Sequence, residues 1–128
     1  MKLWAVRGGI TISQDSAAQV VQATRELLEK LLANNRIDPE DIVSILFTVT
    51  PDITSEFPAV AAREIGLVEV PLMCAQEIPK PGALPLCIRV MLHFYTSLKR
   101  NQIQPVYLRD AVKLRPDLAA RQTTSTRV

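Results

Sequence analysis

The hydrophobic period of the chain changes within residues 2–35, which read KLWAVRGGITISQDSAAQVVQATRELLEKLLANN. Residues 2–12 alternate and are rich in branched side chains, and this pattern predicts a β-strand. Ser16 then opens a capping-box pattern, and Asp15 adds negative charge where the start of a helix is positive. Behind that cap, apolar residues recur at helical spacing, so residues 16–33 are predicted to form the longest helix.

The rest of the chain continues the alternation of strands and helices. Residues 42–50, IVSILFTVT, are apolar on both faces, as in a strand that is covered on both sides. Inside the first strand, Gly8-Gly9 indicates a bulge or a close approach of another backbone. The other predicted elements are a helical turn at Asp38-Pro39, a helix that begins at Phe57-Pro58 and is closed by Gly66 in the left-handed conformation, strands over 67–74, 87–95 and 106–108, and a turn or short helix over 110–118.

This order of elements favours an α/β (α+β) fold with a mixed β-sheet and helices on one side. Because those helices can cover only one face of the sheet, we expect contacts between subunits to cover the other. With 128 residues, the chain has the size of one domain. We assign that domain to residues 1–118 and expect the polar segment 119–128 to be a flexible tail.

Composition and charge exclude several functions. Apolar residues make up 48% of the chain and charged residues 22%, which is typical of a globular protein rather than a disordered one. No apolar run reaches the length of about 18 residues that spans a bilayer, and the first residues lack a signal-peptide pattern. We therefore expect a cytoplasmic protein with no membrane partner. Since the net charge is only +2 and the basic residues are dispersed, we expect no nucleic-acid binding.

Few residues could hold a metal ion or a cofactor. Cys74, Cys87 and His93 lack the paired short spacings of a zinc site, and two cysteines do not make a disulfide framework. Gly8-Gly9 matches neither the dinucleotide-binding spacing nor the P-loop spacing. We therefore expect no metal, no disulfide and no cofactor, and we interpret His93 as a core histidine with a hydrogen-bond partner.

Two opposite charges in apolar surroundings mark the candidate site. Glu77 follows one predicted strand and Arg89 lies inside another, where an unpaired buried charge is strongly unfavourable. The two residues form either a structural pair in the core or a site for a polar ligand, which Arg7, Tyr107 and Arg115 could join. Since the sequence offers no nucleophile–base pair and no pair of carboxylates for acid and base roles, the chemistry of such a site would be electrostatic.

A resemblance to a known family rests on six blocks of sequence that follow in order over residues 6–118. The blocks are VRGGIT (6–11), TPDITSEFPAVAARE (50–64), PLMCAQE (71–77), LCIRVML (86–92), VYL (106–108) and AVKLRPDL (111–118). With these blocks the chain resembles the monofunctional chorismate mutases of the trimeric pseudo-α/β-barrel (bacillus) type. The resemblance implies a homotrimer with active sites between neighbouring subunits. It also implies an isomerase that converts chorismate to prephenate by a Claisen rearrangement, in the synthesis of phenylalanine and tyrosine.

The same resemblance implies roles for individual residues, by matching position. Arg89 would donate to the ether oxygen of chorismate, where negative charge grows in the transition state. Arg7 and Tyr107 would hold a carboxylate, and Glu77 with Cys74 would hold the ring hydroxyl. The other residues that the resemblance implies are four apolar walls and two cations at the mouth, namely Phe57, Ala59, Met73, Leu114, Arg63 and Arg115.

Two other functions stay open. The small trimeric imine deaminases have a similar-looking subunit and use an interface arginine for a carboxylate, so hydrolysis of a 2-imino acid would identify that activity. A non-catalytic trimeric module for small dicarboxylates would bind chorismate without consuming it. Taken alone, without the resemblance, Cys74 is interpreted as an ordinary buried thiol, and Arg63 could equally be a solvated helix residue.

Overall fold

The computed structural model describes residues 1–118, and the predicted tail over 119–128 lies outside the described residues. The strands are β1 (Lys2–Thr11), β2 (Ile42–Val49), β3 (Leu72–Gln76), β4 (Cys87–Thr96) and β5 (Val106–Leu108). The α-helices are α1 (Ala17–Asn34) and α2 (Ala59–Glu64), and short 3₁₀ helices cover Pro39–Asp41, Arg100–Gln102 and Arg109–Lys113. Among the described residues, no helix combines the length and the apolar character that crossing a membrane requires.

The strands form one mixed sheet in the order β3-β2-β4-β1-β5. β4 pairs antiparallel with both β1 and β2, whereas β5 runs parallel to β1 and β3 runs parallel to β2. α2 lies in the crossover from β2 to β3, as a parallel pair of strands requires. The predicted mixed sheet is therefore confirmed.

One hydrophobic core lies between the sheet and the helices. Every second residue of β4 from Ile88 to Phe94 is buried. These side chains belong to one cluster with Leu27 and Leu31 of α1 and with Ala62 of α2. Both helices therefore cover the same side of the sheet, as predicted, and the buried apolar area stabilises this arrangement by roughly 25 cal/mol per Å².

At both ends of α1, hydrogen bonds cap backbone groups that have no partner within the helix. The N–H of Gln19 donates to the Ser16 hydroxyl oxygen at 3.2 Å, which confirms the predicted cap. At the other end, the N–H of Ile37 donates to the carbonyl oxygen of Leu32 at 2.9 Å, and Arg36 has a φ of 49°. This is a Schellman-type helix end with arginine at a left-handed position that favours glycine.

Asp15 binds the segment that precedes α2, which its charge alone did not predict. Its Oδ2 accepts hydrogen bonds from the N–H and the hydroxyl of Thr54, at 3.0 and 3.1 Å. Its Oδ1 accepts from the N–H and the hydroxyl of Ser55, at 3.2 and 2.7 Å. These hydrogen bonds, with that of the Ser55 hydroxyl the largest contribution, hold the pKa of Asp15 below its usual range. The carboxylate thus fixes the residues just before Phe57.

The glycine pair of β1 marks a close approach and not a bulge. β1 pairs with β4 without interruption along its whole length. A Cβ atom on Gly8 would lie 2.9 Å from the carbonyl oxygen of Val106 in β5. Because Gly8 has no side chain, β5 can lie against β1, and this pairing sets Tyr107 beside Gly9.

The strand predicted over 67–74 is wrong in its first half, because β3 begins only at Leu72. Gly66 ends α2 with a φ of +96°, as predicted, and the N–H of Leu67 bonds back to the helix. Leu67 packs into the core, so the next residues carry the chain from the helix to the sheet. Pro71 has no N–H to donate, and the pairing of β3 with β2 begins only at the next residue.

The side of the sheet opposite the helices, which we call the outer face, carries a row of apolar side chains that are exposed in the single chain. Strand pairing places its members side by side, and they are Leu3, Leu46, Met73, Met91 and Tyr95. Met73 is 67% exposed, and Leu3 and Tyr95 are nearly half exposed. Exposed apolar surface of this kind is typical of a contact with another protein chain.

Candidate active site

A cavity of about 310 Å³ opens on the outer face, and we call it the Arg89 cavity. It is lined by Arg7 of β1, Arg89 of β4 and Tyr107 of β5, together with Leu114 and Arg115 from the segment that follows β5. The structure therefore brings these predicted site residues together, although they come from distant parts of the sequence.

Glu77 holds the guanidinium of Arg89 in place. The Nε of Arg89 donates to Glu77 Oε2 at 2.8 Å, and its Nη2 donates to Oε1 at 3.1 Å, which makes a bidentate pair. The side chain of Glu77 is only 16% exposed, whereas that of Arg89 is 48% exposed. The hydrogen bonds that Arg89 donates to Glu77 are the main cause that raises the pKa of Arg89 above its usual value. The pair orients a permanent positive charge beside a cavity.

The backbone and Thr48 fix Glu77 in turn. The N–H of Glu77 donates to the carbonyl oxygen of Val49 at 2.9 Å, which continues the pairing of β3 with β2. Thr48 lies directly opposite Arg89 in the strand register, and its hydroxyl donates to Glu77 Oε2 at 2.6 Å. Sequence analysis did not identify Thr48. The sequence shows that Thr48 and Leu46 alternate along one strand. It does not show that β4, with Arg89, lies beside that strand.

Tyr107 lies among cations. Burial raises the pKa of Tyr107 above its usual range, and Arg7, Arg115 and Arg89 oppose part of that shift. The phenol therefore stays protonated at neutral pH and can donate a hydrogen bond. Arg115 donates to Asp117 at 3.0 and 3.2 Å, and this pairing raises the pKa of Arg115. An arginine-rich cavity with a phenol donor suits an anionic ligand.

The other predicted site residues do not line the Arg89 cavity in the single chain. Phe57, just before α2, is 65% exposed, and Arg63 is exposed on that helix. Ala59 is buried in the core. Met73 is exposed on the outer face, whereas Cys74 packs against the core on the opposite side of β3. One chain by itself thus unites only part of the predicted set.

The described residues around the Arg89 cavity favour charge stabilisation over proton transfer. Cys87, two residues before Arg89, is buried, and this burial raises the pKa of its thiol to about 12. His93 lies on the outer face with its Nδ1 3.2 Å from the Ser44 hydroxyl, so the interpretation as a core residue is wrong although a partner is present. Within residues 1–118, no group of three or more His, Cys, Asp or Glu residues could hold a metal ion. The fixed donors can stabilise negative charge on a bound molecule.

The sequence of this chain is similar to those of chorismate mutases. The family described as chorismate mutase type I matches residues 3–118. The chain is 49% identical over 118 residues to the chorismate mutase AroH of Thermus thermophilus, which covers 91% of this chain and 97% of that protein. It is 42% identical over 125 residues to the chorismate mutase AroH of Bacillus subtilis, which covers 97% of this chain and 98% of that protein.

The fold agrees with the sequence. The solved structure of the chorismate mutase Cth-682 from Clostridium thermocellum superposes with a TM-score of 0.83 at 44% identity. The superposition covers 84% of this chain and 96% of that chain. This likeness confirms the predicted fold class. Since sequence and fold agree over nearly all of the described residues, the chain belongs to the chorismate mutase type I family.

Proposed function

We propose that this chain is a chorismate mutase, an isomerase that converts chorismate to prephenate in the synthesis of phenylalanine and tyrosine. The observation that carries the proposal is the guanidinium of Arg89, which Glu77 holds with two hydrogen bonds at the wall of a cavity. Membership of the family and the names of the relatives support the same reaction.

This reaction is a rearrangement within one molecule, so the enzyme moves no proton and forms no covalent bond to the substrate. Chorismate is a dianion with two carboxylates, an enolpyruvyl ether and a ring hydroxyl. Its C–O bond breaks ahead of formation of the new C–C bond, and negative charge therefore grows on the ether oxygen. A compact conformer of the substrate and a fixed positive donor at that oxygen lower the barrier.

The described residues supply those requirements. Arg89 donates to the ether oxygen through the N–H groups that Glu77 does not use. Glu77 also accepts a hydrogen bond from the ring hydroxyl. Arg7 and Tyr107 hold one carboxylate, and Arg115 adds positive potential near the other. Because Glu77 holds the guanidinium with two hydrogen bonds, little reorganisation is needed when the charge develops.

We also propose that the active unit is a homotrimer in which a neighbouring subunit completes each cavity. The exposed outer face supports this proposal, because apolar surface of that extent favours coverage by another chain. Phe57, Arg63 and Met73 are exposed in one chain and so remain available to the cavity of the next. Ala59 and Cys74 pack against the core in one chain and are not exposed in this way, whereas Leu114 lines the Arg89 cavity and would form the facing wall.

Incubation of the purified protein with chorismate tests the reaction. Loss of the ultraviolet absorbance of chorismate with formation of prephenate supports the proposal. If chorismate binds but is not consumed, a non-catalytic dicarboxylate module is the better description. If chorismate is untouched and a 2-imino acid is hydrolysed, the imine-deaminase alternative is favoured. The proposal includes a cytoplasmic location.

A charge placed on the outer face tests the assembly. Leu3→Glu introduces a carboxylate on the outer face away from the Arg89 cavity, and we expect it to yield monomers with little activity. Val68→Glu is the matched control, because Val68 is 67% exposed but lies outside the sheet. Sedimentation of both variants beside the unmodified protein gives the subunit number. A monomeric unmodified protein, or an assembled Leu3→Glu variant, contradicts the proposed interface.

A further inference from the structure

Three side chains form one chain of hydrogen bonds on the outer face. The hydroxyl of Thr48 donates to Glu77 Oε2 at 2.6 Å. The same oxygen accepts from Arg89 Nε at 2.8 Å, and the second carboxylate oxygen accepts from Nη2 at 3.1 Å. Both oxygens of Glu77 are thus engaged by groups that approach from two different strands.

The three residues differ in how firmly the fold holds them. Glu77 lies beyond the end of β3, which is an edge strand of the sheet, and its long side chain has several rotatable bonds. Arg89 is longer still and about half exposed. Thr48 lies in β2, which has strands on both sides, and a β-branched residue has few rotamers. The fixed point of the three is therefore Thr48.

The bidentate pair alone does not determine where the guanidinium lies. Glu77 and Arg89 could swing together toward solvent and keep both hydrogen bonds, because each is tied to the backbone only by its own flexible stem. The Thr48 hydroxyl removes that freedom, since it holds the carboxylate against β2, directly opposite Arg89 in the strand register. The side of the guanidinium that faces away from Glu77 is then left toward the cavity.

We propose that Thr48 is a positioning residue for Arg89. Its hydroxyl fixes the carboxylate of Glu77, and that carboxylate fixes the guanidinium so that its remaining N–H groups face the Arg89 cavity. Thr48 also lines this cavity, so it lies at the site itself. The inference rests on the proposed function, because the position of the guanidinium matters only if charge develops on a molecule bound there.

Thr48→Val keeps the shape of the side chain and removes the hydroxyl. We expect kcat for chorismate to fall about 10- to 100-fold, which corresponds to one lost hydrogen bond to a charged group. KM should change less, because the cations that hold the carboxylates stay in place. Thr48→Ser restores the hydroxyl and should recover most of kcat. A merely structural hydroxyl would instead lower the melting temperature and leave kcat unchanged.

Ser44→Ala is the matched control. Ser44 is a hydroxyl residue of the same strand, but it contacts His93 and does not line the Arg89 cavity. We expect this variant to keep kcat. If Thr48→Val does not fold, Thr48→Ala replaces it, since a smaller side chain introduces no new clash.

A double-mutant cycle with Glu77→Ala decides whether Thr48 acts through Glu77. If it does, Thr48→Val has little further effect on kcat in the Glu77→Ala background. Equal losses in both backgrounds overturn the inference, and so does a Thr48→Val variant with unchanged kcat in an active enzyme. If the unmodified protein does not convert chorismate, it is the proposed function that fails.

Discussion

We expect Arg89→Ala to lower kcat for chorismate by about 100- to 1,000-fold, or ~2.7–4 kcal/mol, which is the usual effect of losing one fixed donor to a developing oxyanion. The structure favours the upper part of this range. Glu77 fixes the orientation of the guanidinium with two hydrogen bonds. Among the described residues that line the cavity, no other cation has the same position, so water would have to replace Arg89.

The same substitution has a second effect, which falls on KM. Removal of Arg89 leaves the Glu77 carboxylate, only 16% exposed, without its cationic partner and facing a dianionic substrate. Two like charges about 4 Å apart repel each other by about 1 kcal/mol in water and by about 4 kcal/mol at the effective dielectric constant near a protein surface. Because Arg89 itself is 48% exposed, solvent screens much of this effect and about 1–2 kcal/mol remains, which is roughly a tenfold rise in KM.

The two effects can be separated by experiment. Initial rates from the loss of chorismate absorbance give kcat and KM for each variant. Arg89→Ala combined with Glu77→Ala should recover part of KM but none of kcat. Arg89→Lys should recover little of either, because an ammonium group cannot make the bidentate contact.

Arg25→Ala is the control for the loss of an arginine. Arg25 pairs with Glu29 on the exposed surface of α1, at 3.3 Å, far from the cavity in the sequence and on a different element. This variant should keep both kcat and KM. An Arg89→Ala variant with nearly unmodified kcat would refute the assignment of Arg89 to the ether oxygen.

Further predictions concern pH, packing and backbone conformation. We expect kcat to stay nearly flat from about pH 6 to 9, because the raised pKa of Tyr107 keeps the phenol protonated throughout this range. A bell-shaped profile of kcat at saturating chorismate would contradict a mechanism without proton transfer. Gly8→Ala should lower the free energy of unfolding by about 1–3 kcal/mol, since its Cβ would lie 2.9 Å from a carbonyl oxygen. Gly9→Ala, whose Cβ contacts are all at 3.4 Å, should lower it much less in the same urea titration. Equal losses of unfolding free energy in the two variants would argue against the close approach. Arg36→Gly should raise the free energy of unfolding by roughly 0.5–1 kcal/mol, because glycine adopts the left-handed conformation without strain. Arg36→Ala should leave the free energy of unfolding nearly unchanged. A stabilised alanine variant would show that the gain does not come from the backbone.

Much of the fold could be predicted because local patterns and tertiary packing agree. The period of residues 16–33, the alternation of residues 87–95 and the glycine after α2 each match a requirement of the backbone or of the core. The strand predicted over 67–74 is too long because apolar residues also occur in connecting segments that pack into the core. Leu67 is apolar since it packs into the core from a connecting segment.

The candidate site was harder to predict because it depends on which strands lie side by side. The sequence indicated that Arg89 needs a partner, but the importance of Thr48 arises only from the pairing of β2 with β4. The sequence also does not show which of the predicted site residues lie together in one chain. Phe57 and Arg63 do not line the Arg89 cavity in a single chain, and no local pattern specifies that separation.

Under the proposed assembly, the exposed outer face and the open cavity are two aspects of one requirement. Leu46 lines the Arg89 cavity and also pairs with Met73 and Met91 on the outer face, so a subunit that covers this surface also covers the cavity. Covering the cavity would remove water from Arg89, which is half exposed in one chain, and would lower the local dielectric constant. A charge acts more strongly on a nearby oxygen when less water screens it. An enzyme that relies on a fixed charge and not on proton transfer therefore gains activity from assembly, because assembly strengthens the one interaction on which the reaction depends.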